Sequence, residues 1–287
     1  MHINNNNLSK KILIWYDNNQ RTLPWRISKN SKKKQYYRLL SEFMLQQTQV
    51  KTVIPYFDNF VKKIPNLKAL SKSKEKKVLK LWEGLGYYRR AKNLHKTSKI
   101  LINKYKGKIP SSFEQLKELP GIGDYTANIL LALIYNHPRI GLDGNVKRVL
   151  FRLYNFNIID VVNLFKTKRN SDLAEALMEF GSLICKPKDP KCHECAIKNM
   201  CLYYKSESKN KFKQKIKIKL KSYDIFCYLK KKTKQIALTK SNKLGFLKKF
   251  NLPKIQEASK RNKNWKFLCN YKNSISNKKL NINLYYK

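Results

Sequence analysis

One stretch, Leu119 to Leu150 (LPGIGDYTANILLALIYNHPRIGLDGNVKRVL), constrains the fold more than any other part of the chain. Ser111 and Ser112 stand three residues before Glu114 and Gln115, the spacing of a capping box that opens a short helix ending near Leu119. Pro120 and Gly121 stop that helix, and Asp124 is expected to cap the next, whose apolar body is Ile129 to Leu133. A Gly-Ile-Gly hairpin between two helices leaves the amides of Gly121 and Gly123 bare at a helix N-terminus, a geometry that suits a backbone phosphate. The same spacing serves an αα-hairpin that uses glycine only for its backbone freedom, and the hairpin alone does not choose between the two. Downstream, Asp143 opens a further helical stretch among Lys147, Arg148 and Arg152. That juxtaposition favours the phosphate reading.

Charge points the same way. The 287 residues carry 63 Lys and Arg against 18 Asp and Glu, a formal net charge of +45, which implies a polyanionic partner and salt-dependent binding. Lysine is spread through segments without any motif, so charge alone does not mark the binding face. No apolar run has the length of a membrane span and the N-terminus lacks the pattern of a signal peptide, so a cytoplasmic chain is expected.

Apolar periodicity predicts helices over 8–19, 36–47, 50–63, 74–82, 92–105 and 171–185, with Ser28 to Lys34 as a polar loop. Glu42 falls on a largely apolar helix face and is followed by Gln46-Gln47-Thr48-Gln49. If buried, that carboxyl has a raised pKa and suits a general acid; a solvent-facing Glu is the plainer alternative. The polar run suits base edges. Arg21 to Arg26 form a Pro-fixed turn with an Arg on each side of Trp25, and Glu83 to Arg90 set two aromatics and two arginines on a two-glycine break. Those aromatics either wedge into a base stack or close a core.

Cys185, Cys192, Cys195 and Cys201 follow the pattern C-x6-C-x2-C-x5-C. Four thiols so close together indicate a metal site in a reducing compartment rather than a disulfide framework, and zinc and an iron–sulfur cluster both fit the spacing. Beyond Lys205 a basic linker leads to strand-like segments at 223–229, 235–239 and 280–286.

Taken together, these motifs resemble the helix-hairpin-helix DNA glycosylase superfamily, and the cysteine spacing is similar to the [4Fe–4S] loop of its endonuclease III and MutY branch. Within that branch SEFMLQQTQVKTVIPYF, LWEGLGYYRRAKNLHK, LPGIGDYTA and LDGNVKRVL are similar to segments of the MutY adenine glycosylases. The resemblance spans roughly residues 12 to 204, with extra Lys-rich length between Arg26 and Glu42. It implies a mainly α fold. The helical catalytic core would span 1–204, as a six-helix module over about 30–135 and an iron–sulfur module of 1–29 plus 136–204. A basic linker (205–221) and a short, reduced MutT-like α+β domain (222–287) would follow.

The resemblance also implies chemistry. Glu42 would be the general acid, Asp143 the carboxylate that steadies the sugar cation, Tyr125 a packing partner of the sugar, and Asn145 the residue that holds Asp143 and the water. Arg26 would sit by the adenine pocket. Gln47 and Tyr87 would press into the duplex around the mispair, Gln46 and Thr48 would contact the DNA beside them, and Gly121 and Gly123 would grip a phosphate. The four cysteines would hold a [4Fe–4S] cluster. Bifunctional relatives carry a nucleophilic Lys where this chain has Tyr125, so a monofunctional glycosylase is expected. Its substrate would be double-stranded DNA with adenine opposite 8-oxoguanine or guanine. The enzyme would be a bacterial-type, nucleoid-associated monomer. Where the family presents a Phe-Ser-His turn to the oxidised guanine, this chain offers Ile275-Ser276-Asn277, with Ser276 as the one retained hydrogen-bonding group. An endonuclease III-like enzyme for oxidised pyrimidines and a non-catalytic DNA-binding protein are the alternatives.

Overall fold

Leu8, Ile12 and Trp15 share one face of the first helix, α1 (Asn5–Asn19), and that face packs against helices from the far end of the same unit. The computed structural model describes residues 5–26, 31–154, 167–206, 219–230, 233, 235–239, 253–258, 264–275 and 278–287. The chain divides into two compact units, Met1–Phe212 and Lys213–Lys287.

In the first unit, α1 is followed by α2 (Ser31–Leu45), α3 (Val50–Lys63), α4 (Leu67–Lys72), α5 (Glu75–Leu81), α6 (Arg89–Tyr105), α7 (Phe113–Lys117) and α8 (Asp124–Tyr135). Then come α9 (Gly144–Tyr154), α10 (Asn170–Leu183), two short 3-10 turns at Cys192–Glu194 and Lys198–Met200, and α11 (Leu202–Lys205). One core joins α2 through α8: Leu39, Leu40, Phe43 and Met44 of α2 meet Phe57 and Phe60 of α3, Trp82, and Leu130 and Leu131 of α8. Trp25 adds its ring from the Pro24 turn, edge-on to Phe57 with centroids 5.2 Å apart. A second core joins α1 to α9 and α10 through Val149, Leu153, Leu173, Leu177 and Phe180. Ile129 and Leu133 on the far side of α8 meet Ala174 of α10, so the central apolar helix serves both cores.

The Lys-rich segment read as a loop to Lys34 instead supplies the first turn of α2 from Ser31 onward. Lysine is a good helix former, and the Lys33 ammonium lies 5.3 Å from the Tyr37 ring centre, one turn on. One cap also differs from expectation. Gly123 is the N-cap of α8, and Asp124 makes no cap hydrogen bond; its carboxylate pairs with Lys117 across the hairpin. Arg169 precedes α10 and is held by Asp17 and Asp172. Ser112 does cap α7, accepting from the Gln115 amide.

The second unit carries a four-stranded sheet. β1 (Lys219–Cys227) pairs antiparallel with β4 (Lys254–Glu257) on one side and parallel with β6 (Lys278–Tyr286) on the other, and β5 (Lys266–Ile275) runs antiparallel to β6. A small hairpin of β2 (Leu229–Lys230) and β3 (Gln235–Ile236) stands apart from it. Tyr223, Phe226 and Leu280 are buried. β5 had no counterpart among the expected strands: Lys266, Asn270, Lys272 and Asn273 dilute its apolar alternation.

Candidate active site

The C-terminal half of α2 places Glu42 where the apolar residues around it face the first core, and the side chain is 5% exposed. Burial pushes its carboxyl up to about pH 7, against the pull of the Arg38 guanidinium; Glu175 and Asp143 add negative charge and push the same way, and the Tyr125 hydroxyl steadies the anion. The carboxyl therefore keeps its proton to much higher pH than a solvent-facing carboxylate does. A solvent-facing Glu42 is excluded.

Asp143 owes its position to helix α9, whose N-terminus it caps. Its Oδ1 accepts from the Val146 amide at 2.7 Å, and the Asn145 amide donates to Oδ2 at 3.1 Å. Both carboxylate oxygens are thus aimed by the backbone and by one neighbouring side chain. Asn145 is held in turn: Arg148 Nη2 donates to Asn145 Oδ1 at 2.8 Å and to the Gly181 carbonyl at 2.7 Å, while its Nε donates to the Cys185 carbonyl at 2.7 Å. The Tyr125 ring, half-buried at the start of α8, is close enough for Glu42 and Asp143 to drive its hydroxyl well above the usual phenol range, burial being the largest cause, and that hydroxyl donates to Met178 Sδ at 3.4 Å. Glu42, Tyr125, Asp143 and Asn145 therefore form one group drawn from α2, α8 and α9.

Arg26 reaches this group through Glu175. Its Nε donates to Glu175 Oε1 at 2.9 Å and its Nη2 pairs with Glu179 at 2.7 Å, while Arg38 grips Glu175 with both terminal nitrogens at 2.6 and 3.1 Å. Tyr16 of α1 donates to Glu175 Oε2 at 3.2 Å. Burial alone would raise the Glu175 carboxyl; Arg38 and Arg26 outweigh it and hold the group below the usual carboxylate range. Two buried carboxyls in mutual electrostatic reach, Glu42 and Glu175, are thus driven to opposite protonation states. Glu175 and Arg38 were not singled out in the sequence. Buried charge on an apolar helix face was the available signal, but the partners stand 137 residues apart.

The remaining residues lie at the rim. Gln46 Nε2 donates to the Gly121 carbonyl at 3.3 Å and to Thr126 Oγ1 at 3.4 Å, tying the end of α2 to the hairpin. Gln47 is exposed with φ 60°, Thr48 follows it half-buried, and Tyr87 is 62% exposed with φ 48°. Tyr87 and Tyr88 therefore do not close a core. Gly121 has φ 85°, and a Cβ there would stand 2.9 Å from both Asn93 and Phe43, so this turn requires glycine on both counts. The amides of Gly121 and Gly123 donate to no other group among the described residues. Ser276 lies outside the described residues, as does the segment 241–252.

The four cysteines are free thiols, each half-buried, in the loop that follows α10, and Cys185, Cys195 and Cys201 pack against the second core. Burial pushes the Cys195 thiol up to about 12, and Cys201, Cys185 and Cys192 add to the rise. Their sulfurs are not drawn into a ligand set: among the described residues no group of three or more His, Cys, Asp or Glu is placed to hold a metal ion. Arg152 Nη1 donates to Cys185 Sγ at 3.4 Å and to the Lys186 carbonyl at 2.7 Å, which anchors the loop to α9. Among the described residues no helix is long and apolar enough to cross a membrane.

The family model of the HhH-GPD superfamily base excision DNA repair proteins matches residues 40–177, the span that contains Glu42, the hairpin and Asp143. The adenine DNA glycosylase of Buchnera aphidicola subsp. Baizongia pistaciae is 38% identical over 300 residues, covering 95% of this chain and 83% of that protein. The chain belongs to the adenine DNA glycosylase family. The family enzyme of Buchnera aphidicola subsp. Schizaphis graminum is 40% identical over 71% of this chain and 61% of its own length. That of Homo sapiens is 33% identical over 66% of this chain and 38% of its own. Among solved structures, a thermostable thymine-DNA glycosylase superposes with a TM-score of 0.63 at 25% identity, covering 70% of this chain and 96% of that one. An endonuclease III–DNA complex shares the fold, with a TM-score of 0.58 and 21% identity over 71% of this chain and 98% of that one. The core is thus the mainly α helix-hairpin-helix glycosylase fold, and the family's members are enzymes of DNA repair that act on N-glycosyl bonds.

Proposed function

We propose that this chain hydrolyses the N-glycosidic bond of adenine mispaired with 8-oxoguanine or guanine in double-stranded DNA and leaves the strand itself intact. The observation that carries the reading is the Glu42 carboxyl: buried, its pKa raised to about 7, and grouped with Asp143 and Tyr125. An adenine inside a duplex is out of reach of these groups, so the base must be extruded. Glu42 then donates its proton to adenine N7, and the base leaves as a neutral molecule. Asp143, ordered by the Val146 amide and by Asn145, stabilises the positive charge that develops on the sugar, and a water completes the hydrolysis. Arg26, fixed by Glu175 and Glu179, lines the base pocket. Tyr125 stands where bifunctional relatives carry their Schiff-base lysine, so strand cleavage is not part of the reaction.

Gln47 and Tyr87 enter the duplex, Gln46 and Thr48 contact the DNA beside them, and the free amides of Gly121 and Gly123 take a phosphate. Residues 1–204 form the catalytic core, 205–221 a basic linker and 222–287 the lesion-reading part of a monomeric protein. The boundary between the two compact units, after Phe212, falls within that linker and supports the division. Cys185, Cys192, Cys195 and Cys201 would hold a [4Fe–4S] cluster. Four soft thiol donors on one loop against an apolar core fit such a group, which would order the loop and supply no hydrolytic chemistry. With Ser276 alone in the place of a Phe-Ser-His turn, discrimination between 8-oxoguanine and guanine opposite adenine is weak.

Single-turnover reaction of a labelled duplex, with and without alkali, tests the reading. Strand breaks only after alkali, at comparable rates for both mispairs, are expected. Breaks without alkali would refute the monofunctional mechanism, and tight binding without any break would refute catalysis. A large preference for the oxidised mispair would refute the weakened lesion reading.

A further inference from the structure

Two exposed tips flank the site. One is the Gln46–Gln47 turn after α2; the other is the turn from Trp82 to Tyr88 between α5 and α6. Each tip ends on a non-glycine residue in the left-handed region, Gln47 at φ 60° and Tyr87 at φ 48°. Such a backbone persists only when its surroundings fix it. The tips come from separate segments, yet a single side chain binds both. Arg90, 7% exposed in the first turn of α6, sends Nη1 to the carbonyls of Phe43 (3.2 Å), Met44 (2.6 Å) and Gln46, and Nη2 to those of Leu85 (3.3 Å) and Gly86 (3.2 Å). Its guanidinium also lies over the rings of Trp82 (5.5 Å) and Tyr87 (5.4 Å), and Trp82 Nε1 donates to the Gly86 carbonyl at 3.2 Å.

Two of the five acceptors, the Phe43 and Met44 carbonyls, come from the C-terminal end of α2 and have no partner inside the helix, and the Gln46 carbonyl follows just after it. The other two belong to the turn that carries Tyr87. Among the described residues no carboxylate pairs with Arg90: burial pulls its pKa down, and the Tyr87 phenol pulls it up. A buried cation held by backbone carbonyls of two tips fixes how far apart those tips stand. A helix C-terminus favours a cation, and the planar fork lets one group serve both loops, which the single point of a lysine ammonium cannot do.

We propose that Arg90 is a positioning residue that sets the Gln47 and Tyr87 tips in one register, so that the two enter the duplex as a single rigid wedge. The inference rests on the adenine-glycosylase reading of the site. Arg90 touches neither the base nor the sugar. Its effect is on duplex entry, upstream of proton transfer by Glu42.

The test compares wild type with Arg90→Lys on three duplexes: an adenine opposite 8-oxoguanine, the same mispair with 2-aminopurine beside it as a stacking reporter, and an undamaged control. Arg90→Lys is expected to weaken mispair binding by more than about tenfold and to blunt the fluorescence rise on unstacking, while binding to the undamaged duplex changes by less than about twofold. The pH at which the adenine-release rate falls by half stays where Glu42 sets it. In a Gln47→Ala/Tyr87→Ala background the lysine substitution adds little further loss, because its targets are already gone. An Arg90→Lys protein equal to wild type in affinity ratio and fluorescence overturns the proposal, as does full additivity in that background. A wild-type protein that neither releases adenine nor raises the fluorescence overturns the glycosylase reading itself, and this role with it. Should Arg90→Lys fail to fold, hydrogen exchange on the wild type decides. Amides 46–48 and 84–88 gaining protection together on duplex binding support the coupling, and independent protection refutes it.

Discussion

Replacing Glu42 with Gln removes a charge that the fold disfavours, and the structure gives the size and sign of the effect. A carboxyl whose folded pKa is raised is neutral in both folded and unfolded chains at low pH and contributes nothing there. As pH rises through 4.5 the unfolded chain ionises first, so the native state loses stability until pH passes about 7, where the loss is complete. The shift corresponds to about 3 kcal/mol at pH 8 and about 1 kcal/mol at pH 5. Gln is neutral throughout, so Glu42→Gln should stabilise the protein by about 2 kcal/mol more at pH 8 than at pH 5, or about 4–8 °C in melting temperature for a unit of this size. Thermal melts of both proteins across pH 5 to 8 read this directly. The same variant should lose adenine release in single turnover while still binding the mispair, and in wild type the rate should fall as pH rises through about 7. An equal gain in stability at both pH values would show that Glu42 is not a buried neutral acid. Loss of mispair binding in the variant would show that Glu42 acts in recognition rather than in proton transfer.

Asp143→Asn keeps an acceptor for the Val146 amide but loses the charge, so stability should change by only a few tenths of a kcal/mol while single-turnover adenine release falls by about 100-fold or more. Arg38→Leu strips Glu175 of its bidentate partner; chemical denaturation should show a loss of about 3–5 kcal/mol. Because Arg38 also lowers the Glu42 pKa, the alkaline limb of the pH–rate profile should move upward in that variant. Gly181→Ala places a Cβ 2.7 Å from Asn145 Cβ and 3.0 Å from its backbone. It should cost about 1–3 kcal/mol in the melt and slow adenine release through a displaced Asp143, with mispair affinity little changed. Asn66→Ala, which removes the cap on the Ala69 amide far from the site, should cost about 1 kcal/mol and leave the rate alone.

The parts of the site legible in the sequence are those encoded locally. A Pro-Gly-Ile-Gly run between two apolar helices fixes its own turn, and Asp143 standing three residues before Val146 fixes its own cap. Glu42 was legible as a candidate because a carboxylate on the apolar face of α2 has few outcomes, although its burial became certain only with α8 and α9 in place. The features that escaped depend on partners distant in sequence. Asp124 carries a strong capping signal, yet Lys117 takes its carboxylate and leaves the cap to Gly123. Arg26 reads as a surface residue of a Pro-fixed turn until Glu175 and Glu179 arrive from α10 to bury it. Arg90 is one of several basic residues after a glycine break. Its distinction is the company of α2 carbonyls, which no local pattern records.

The packing of α1 has a consequence for how the chain comes to be folded. Leu8, Ile12 and Trp15 find their partners on α9 and α10, and Tyr16 meets Glu175 across 159 residues of sequence. A ribosome releases α1 long before α10 exists, so the apolar stripe of that helix must wait in solvent while the intervening helices condense around Phe43, Phe57 and Trp82. During that interval α1 is an exposed amphipathic segment open to chaperones and proteases. The candidate active site, which needs α10 for Glu175, is among the last features of the nascent protein to close.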